Sequence, residues 1–314
     1  MSQNFDLVVT VATFQRPEML KALLHSIEHQ QDLGNMKFHV VVVDNDPSGS
    51  AETTTKEFAS LVTYVHEPKP GIAAARNAGI EAAAVFQPRA LVFIDDDEVA
   101  PPHWLSQLVS TWKETSADVV TGPVRFELPD GFEHLANAVP HFYTPDRADH
   151  SPVEDVATGN TLVDATWFHG SAALRFSEQY SLTGGSDIEL FNRLRRQGGR
   201  CVWAAKASVV ETVPRARTTP QWMRQRDLRN GQLRARLMLE SNSRATLRLA
   251  VEGVLRVLKG AFVITLSRPE TSSNIQGWRT LQTGRGYLKA VSGRHFNEYA
   301  LGRNLGRQYP GEGI

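Results

Sequence analysis

Apolar residues in the first third of the chain fall into two alternating rhythms. Short continuous runs, Leu7 to Ala12, Phe38 to Val43, Val62 to Val65 and Ala90 to Ile94, are rich in β-branched residues and predict buried strands. Between them the spacing turns helical. Pro17 and Glu18 open a helix in which Met19, Leu20, Leu23, Leu24 and Ile27 share one face. Ala51 to Phe58 suits a short helix, and Pro70-Gly71 opens an alanine-rich one over Ile72 to Ala84. Strands apolar along their whole length, alternating with helices, predict an α/β fold with a mostly parallel sheet covered on both faces.

The rhythm loosens from about Val119 to Phe176, and Phe126 to Val156, rich in Pro, His and Asp, predicts a long loop. It returns at Gly184-Gly185-Ser186-Asp187, ahead of a helix carrying Ile188, Leu190, Phe191 and Leu194 and ended by Gly198-Gly199. Cys201 to Trp203 predicts a further strand. After Pro214 the pattern changes character. Arg215, Arg217, Arg224, Arg226, Arg229, Arg234 and Arg236 face only Asp227 in that stretch. Then Leu247, Ala250, Val251, Val254, Leu255, Leu258, Ala261 and Phe262 recur at helical spacing, with Arg248, Glu252 and Arg256 on another face. The expected division is an α/β domain over 1–214 and an arginine-rich amphipathic helical extension over 215–314. The arginine stretch is open to reading as a solvated face or as contact with anionic lipid headgroups or a lipid diphosphate acceptor, and the helix after it as lying in a membrane interface or packing on the catalytic domain.

Composition narrows the classes. With 41% hydrophobic and 22% charged residues the chain is globular, and 34 basic against 34 acidic residues argues against nucleic-acid binding. One cysteine, Cys201, excludes a disulfide framework and multi-cysteine metal sites, and fits a reducing compartment. No basic stretch leads into an apolar one at the start, and no run of about eighteen apolar residues occurs. A cytoplasmic protein is expected, or a peripheral one on the cytoplasmic face of the inner membrane.

The chemistry concentrates at strand ends. Leu91-Val92-Phe93-Ile94 breaks into Asp95-Asp96-Asp97-Glu98, and the repulsion of adjacent carboxylates is tolerated mainly where a divalent cation or a hydroxyl-rich ligand binds, or in a solvated acidic turn. Thr13-Phe14-Gln15-Arg16 and Asp44-Asn45-Asp46 fall at the matching ends of two other strands, where parallel sheets bind ligands. Neither GxGxxG nor GxxxxGK[ST] occurs, so no glycine loop cradles phosphate, and a bridging metal is needed between carboxylates and phosphate. Asp44 is suited to a base or ribose, or to an ordinary turn. Asp187, before a helix, is suited to general-base chemistry on a hydroxyl, or to capping that helix. His66 and His169 stand isolated, and HExxH, CxxC and GxSxG are absent.

Taken in order, Ala12-Thr13-Phe14-Gln15-Arg16-Pro17, Val42-Val43-Asp44-Asn45, Gly71 to Asn77, Phe93 to Asp97 with Pro102-His103-Trp104-Leu105, Thr158-Gly159-Asn160 and Gly184 to Leu190 resemble the family 2 inverting glycosyltransferases of the GT-A fold, over roughly residues 6–235. Glu211-Thr212-Val213-Pro214-Arg215-Ala216-Arg217 with Trp222 and Arg229-Asn230-Gly231 looks most like the bacterial succinoglycan type of exopolysaccharide glucosyltransferase. The resemblance implies that Thr13, Phe14 and Arg16 hold uracil and ribose, with Asp44 on the base and Arg76 near base or diphosphate. It implies Asp95 and Asp96 on ribose and sugar hydroxyls, Asp97 on Mg²⁺ or Mn²⁺, and Glu211 as a second ligand where relatives often carry histidine. Asp187 would be the base, with Asn160, Ser186 and Glu189 at the acceptor. Ser186 departs from the acidic neighbour common in relatives, a role Glu189 would take. The implied partners are a nucleotide-sugar donor, with UDP-hexose foremost, and a saccharide or lipid-linked saccharide acceptor. Two other functions share parts of this layout: a sugar-nucleotide-forming nucleotidyltransferase and a non-catalytic binding subunit.

Overall fold

A computed structural model describes residues 4–293 except 171, 172, 182 and 270. The elements run β1 (Leu7–Thr13), α1 (Pro17–Glu28), β2 (Phe38–Asp44), α2 (Glu52–Lys56), β3 (Val62–His66), α3 (Ile72–Ala84) and β4 (Ala90–Phe93). Next come β5 (Glu98–Val99), α4 (Trp104–Thr115), β6 (Val119–Thr121), β7 (Val124–Glu127), α5 (Leu135–Ala138), β8 (Thr161–Asp164) and α6 (Ser186–Arg196). β9 (Cys201–Trp203), β10 (Val209–Thr212), α7 (Pro220–Ser241), α8 (Thr246–Leu266) and α9 (Ser272–Val291) follow. The first four predicted strands and the alanine-rich helix lie within a residue of their expected bounds. The stretch expected to be a long loop, Phe126 to Val156, instead contains the end of β7, α5, a helical turn at Pro140–Phe142 and a bridge from Pro152 to Val202. These pieces are too short to show a periodicity.

Two compact units divide the chain. The first gathers residues up to Glu127, Thr144–Ser181 and Ser186–Thr212. Its seven-stranded sheet has the order β3-β2-β1-β4-β8-β6-β9. Every neighbouring pair is parallel except those β8 makes with β4 and β6. Alternation along β1 sends Leu7, Val9 and Val11 to a cluster with Leu20, Leu24 and Leu108, and Val8 to the opposite one with Ala73, Ile80 and Leu190. This double burial is why the strands are apolar throughout. β5, β10 and β7 form a separate small sheet in which Glu98 lies directly across from Glu211.

The second unit gathers Leu128–Tyr143, a short piece before Ser186, and the chain from Val213 onward. The expected extension corresponds to α7, α8 and α9, and its part from residue 294 lies outside the described residues. α9 packs against both α7 and α8. Among the described residues no helix is long and apolar enough to cross a membrane.

Candidate functional site

β1, β2 and β4 are parallel, so their carboxyl ends emerge on one edge of the sheet and bring Thr13, Asp44 and the Asp95-Asp96-Asp97 turn together. Asp96 is the hub. Its carboxylate accepts from Thr13 Oγ1 at 2.8 Å and from Arg16 Nη1 at 2.8 Å, and the same Arg16 nitrogen reaches Asp97 Oδ2 at 3.0 Å. Burial pushes the Asp96 carboxyl up to about 6 in spite of Arg16. Burial works against the Arg16 charge too, but Asp96 and Asp97 outweigh it and raise its pKa. Phe14, between these anchors, stands exposed.

Asp95 keeps its side chain 47% exposed and meets Arg76 Nη2 at 3.5 Å. Arg76, only 11% exposed, also lies over the Phe176 ring at 5.6 Å. Desolvation raises the Asp95 pKa. Arg76 opposes the shift, and the charges of Asp97 and Asp187 add to it. Asp187 is therefore close enough to the aspartate run for its charge to be felt. It lies in the first turn of α6, where Oδ1 accepts from the Ile188 amide at 2.9 Å.

Other predicted site residues are committed inside the protein. Asp44 is fully buried: its oxygens accept from the amides of Asp46 (3.0 Å) and Ala51 (2.7 Å) and from Tyr64 Oη (3.2 Å). Burial and the neighbouring Asp44 push the Tyr64 phenol up to about 12, so it donates. Asn160 is fully buried as well. Its carbonyl accepts from Trp104 Nε1 at 2.7 Å, and its amide donates to the carbonyls of Pro123 (3.0 Å) and Ala207 (2.6 Å). Ser186 is fully buried, and its hydroxyl has no hydrogen-bond partner among the described residues. Glu189 is clamped by Arg193 at 2.6 and 3.0 Å.

Sequence patterning left Glu98 out of the site, although it ends the acidic run. It is almost fully buried and accepts from the Asp95 amide at 3.0 Å. Burial, then Asp95, then Glu211 and Asp97 hold its carboxyl well above the usual range. A β-carbon on Gly159 would come within 2.8 Å of its Oε1, so Gly159 leaves the room this side chain occupies. The available signal was a fourth consecutive acid at the end of the run.

Oxygen donors of this kind suit Mg²⁺ or Mn²⁺. Among the described residues no three His, Cys, Asp or Glu side chains converge as a finished metal cage. Of the two expected ligands, Asp97 is paired with Arg16 and its carbonyl accepts from the Thr212 amide at 3.2 Å, next to Glu211, so both offer carboxylate oxygen of the kind such a cation takes.

Comparison with known proteins agrees with this layout. The sequence profile of the Glycosyl transferase family 2 matches residues 8–169. The chain is 30% identical over 251 residues to the succinoglycan biosynthesis protein ExoM of Rhizobium meliloti (strain 1021), covering 76% of this chain and 77% of ExoM. Its fold resembles S. aureus TarS (TM-score 0.53, 15% identity), spanning 88% of this chain but only 55% of that one. TarS 1-349 in complex with UDP-GlcNAc gives a TM-score of 0.52 at 15% identity, with 93% of each chain covered. The mannosyltransferase PcManGT from Pyrobaculum calidifontis, in complex with GDP-Man and Mn²⁺, gives 0.54 at 17% identity over 99% of this chain and 82% of that one. At such identities the structural likeness speaks for the fold alone.

Proposed function

The chain belongs to glycosyl transferase family 2 and is a glycosyltransferase of mostly parallel α/β fold, and from that premise we propose that it moves a hexose from a UDP-sugar to a hydroxyl of a saccharide or lipid-linked saccharide in exopolysaccharide synthesis, with inversion and with a divalent cation. Family membership sets aside the nucleotidyltransferase and the non-catalytic subunit. The observation that carries the proposal is the proximity of two acidic groups of different kinds. One is the Asp95–Asp97 turn, tied to Thr13 and Arg16, and the other is Asp187, whose charge reaches Asp95. TarS 1-349 and PcManGT, which share this fold, occur in complex with UDP-GlcNAc and with GDP-Man, which supports a nucleotide-sugar donor.

Roles follow from exposure. Phe14 is free to stack on the base, and Arg76 presents its guanidinium beside Asp95 to the donor. Asp95, half exposed, accepts from hydroxyls of the donor. Asp96 holds Arg16 and Thr13 in place. Asp44 and Asn160, saturated by internal bonds, act from beneath by shaping the loops that touch ligand. Glu189 and Ser186 set the start of α6 and so the aim of Asp187. Asp187 takes the proton of the acceptor hydroxyl as its oxygen bonds to the anomeric carbon and the bond to the nucleoside diphosphate breaks. A bound cation would neutralise charge on the departing diphosphate.

The decisive experiment pairs transfer with donor binding. Asp187→Asn should lower transfer by about 10²–10⁴-fold and leave UDP-sugar binding by calorimetry nearly unchanged. Retained transfer in that variant removes the base assignment. A screen of UDP- and GDP-sugars for thermal stabilisation with Mg²⁺ or Mn²⁺ tests the donor, and stabilisation by GDP-sugars alone would overturn the UDP reading.

A further inference from the structure

In a helical hairpin packed in water, large apolar side chains face inward. α8 has the opposite arrangement. Its buried positions are Leu249, Gly253 and Gly260. The glycines let α9 come so close that a β-carbon on Gly260 would lie 2.5 Å from the Leu281 amide nitrogen, and one on Gly284 would lie 2.6 Å from the Gly253 carbonyl oxygen. The large apolar residues point away from this contact. Leu247, Val251, Val254, Leu255, Leu258, Phe262 and Leu266 are between 46% and 76% exposed. At 100° per residue they form one stripe along the helix.

The border of that stripe is basic. Arg248 and Lys259 lie one turn-edge away from it on the same side, and Arg244 and Arg268 flank the two ends, all four exposed. The acid of this helix, Glu252, is bonded by Arg256 at 2.7 and 3.1 Å, and that arginine also covers the Tyr287 ring. Small residues at a helix contact with large apolar ones outside is the arrangement found where the surroundings are hydrocarbon. α8 is not apolar enough to span a bilayer. An amphipathic helix of this kind lies in the headgroup plane.

We propose that the exposed stripe of α8 docks on a bilayer surface rich in acidic phospholipid, with the apolar side chains in the acyl boundary and Arg248 and Lys259 among the phosphates. This surface is independent of the catalytic assignment, because it lies wholly in the second unit. In the arginine-rich stretch of α7, Arg236 pairs with Glu240 at 3.1 Å and Arg224 stacks on Trp278 at 3.7 Å, so these two charges are engaged within the second unit.

The test uses the full chain in a vesicle flotation assay, with phosphatidylcholine vesicles alone and with roughly a third phosphatidylglycerol. The wild type should float with acidic vesicles at low salt and bind neutral ones more weakly. Leu258→Glu with Phe262→Glu should lose roughly tenfold or more of that binding. Arg248→Glu with Lys259→Glu should lose about fivefold per cation and become insensitive to salt. Circular dichroism and thermal unfolding confirm that each variant folds. A Phe262→Trp variant adds a second readout: blue-shifted emission and quenching by brominated acyl chains. Failure of the wild type to bind acidic vesicles at low salt would overturn the proposal, as would binding untouched by the two glutamates. So would a concentration-dependent dimer that those glutamates dissociate in the absence of vesicle binding, since the stripe would then be the seat of a second copy.

Discussion

At the scale of single residues, the acidic run separates into groups with different burdens. Asp95 stays open to solvent, Asp96 is held by Thr13 and Arg16, and Glu98 sits beneath with its oxygen on the Asp95 amide. Glu98 can lose its charge without losing that hydrogen bond. Glu98→Gln should therefore keep the fold and its thermal midpoint, whereas Glu98→Ala leaves a buried amide unsatisfied and should cost about 1–3 kcal/mol in denaturant unfolding. Cys201 supplies a second prediction. It is buried in β9, and burial pushes its thiol up to about 11 against the opposing charge of Arg195. A raised pKa keeps the thiol protonated below that value, so a thiol-reactive disulfide dye at about pH 8 should label the unfolded protein and leave the native one untouched. Labelling in native buffer at the unfolded rate would contradict the burial of β9. Residue types at strand ends were legible in the sequence, but their directions were not. Asp44 and Asp95 both follow an apolar run, yet Asp44 is consumed by Tyr64 and two amides while the Asp95 side chain stays half exposed beside Arg76. Those partners come from loop closure and from the neighbouring strand, which spacing along one strand does not encode.

At the scale of elements, the apolar pattern carried most of the first unit because burial on both faces leaves a plain signature. β1 and β2 show it, and α3 begins where Gly71, at φ +126°, lets the chain turn against Ser181. α8 shows the limit of the same logic. Helical spacing of Leu247, Val251, Leu258 and Phe262 locates an apolar face correctly, but the usual inference that this face is the packed one fails, since the glycines face α9 instead. The reversal makes an unusual stability prediction. Gly260→Val forces side-chain carbons into the α9 backbone and should destabilise the second unit by about 1–3 kcal/mol. Leu258→Ala, at a position 61% exposed, should fall within about 0.5 kcal/mol of the wild type. Thermal unfolding of the two variants side by side distinguishes this hairpin from an ordinary core, for which the order of the two effects would be the reverse.

At the scale of the whole molecule, the catalytic proposal depends on residues that lie about ninety positions apart in sequence and act on opposite sides of one bond. The spacing of Asp97 and Asp187 says nothing about their distance. What decides it is the sheet order, with β4 beside β8 and β6 beside β9, and α6 leading into β9, which leaves the Asp187 charge within reach of Asp95. If Asp187 draws the proton while the diphosphate leaves from the Asp95–Asp97 side, attack and departure occur on opposite faces of the sugar ring, and one displacement inverts the anomeric centre. An α-linked UDP-hexose should then yield a β-glycoside, identifiable from the anomeric proton coupling in the product. An α-product would mean retention, which a single in-line displacement does not give, and would overturn the inverting assignment. In the single-displacement case the protein mass stays unchanged through turnover, and the Asp187→Asn variant forms product about 10²–10⁴-fold more slowly without accumulating an adduct.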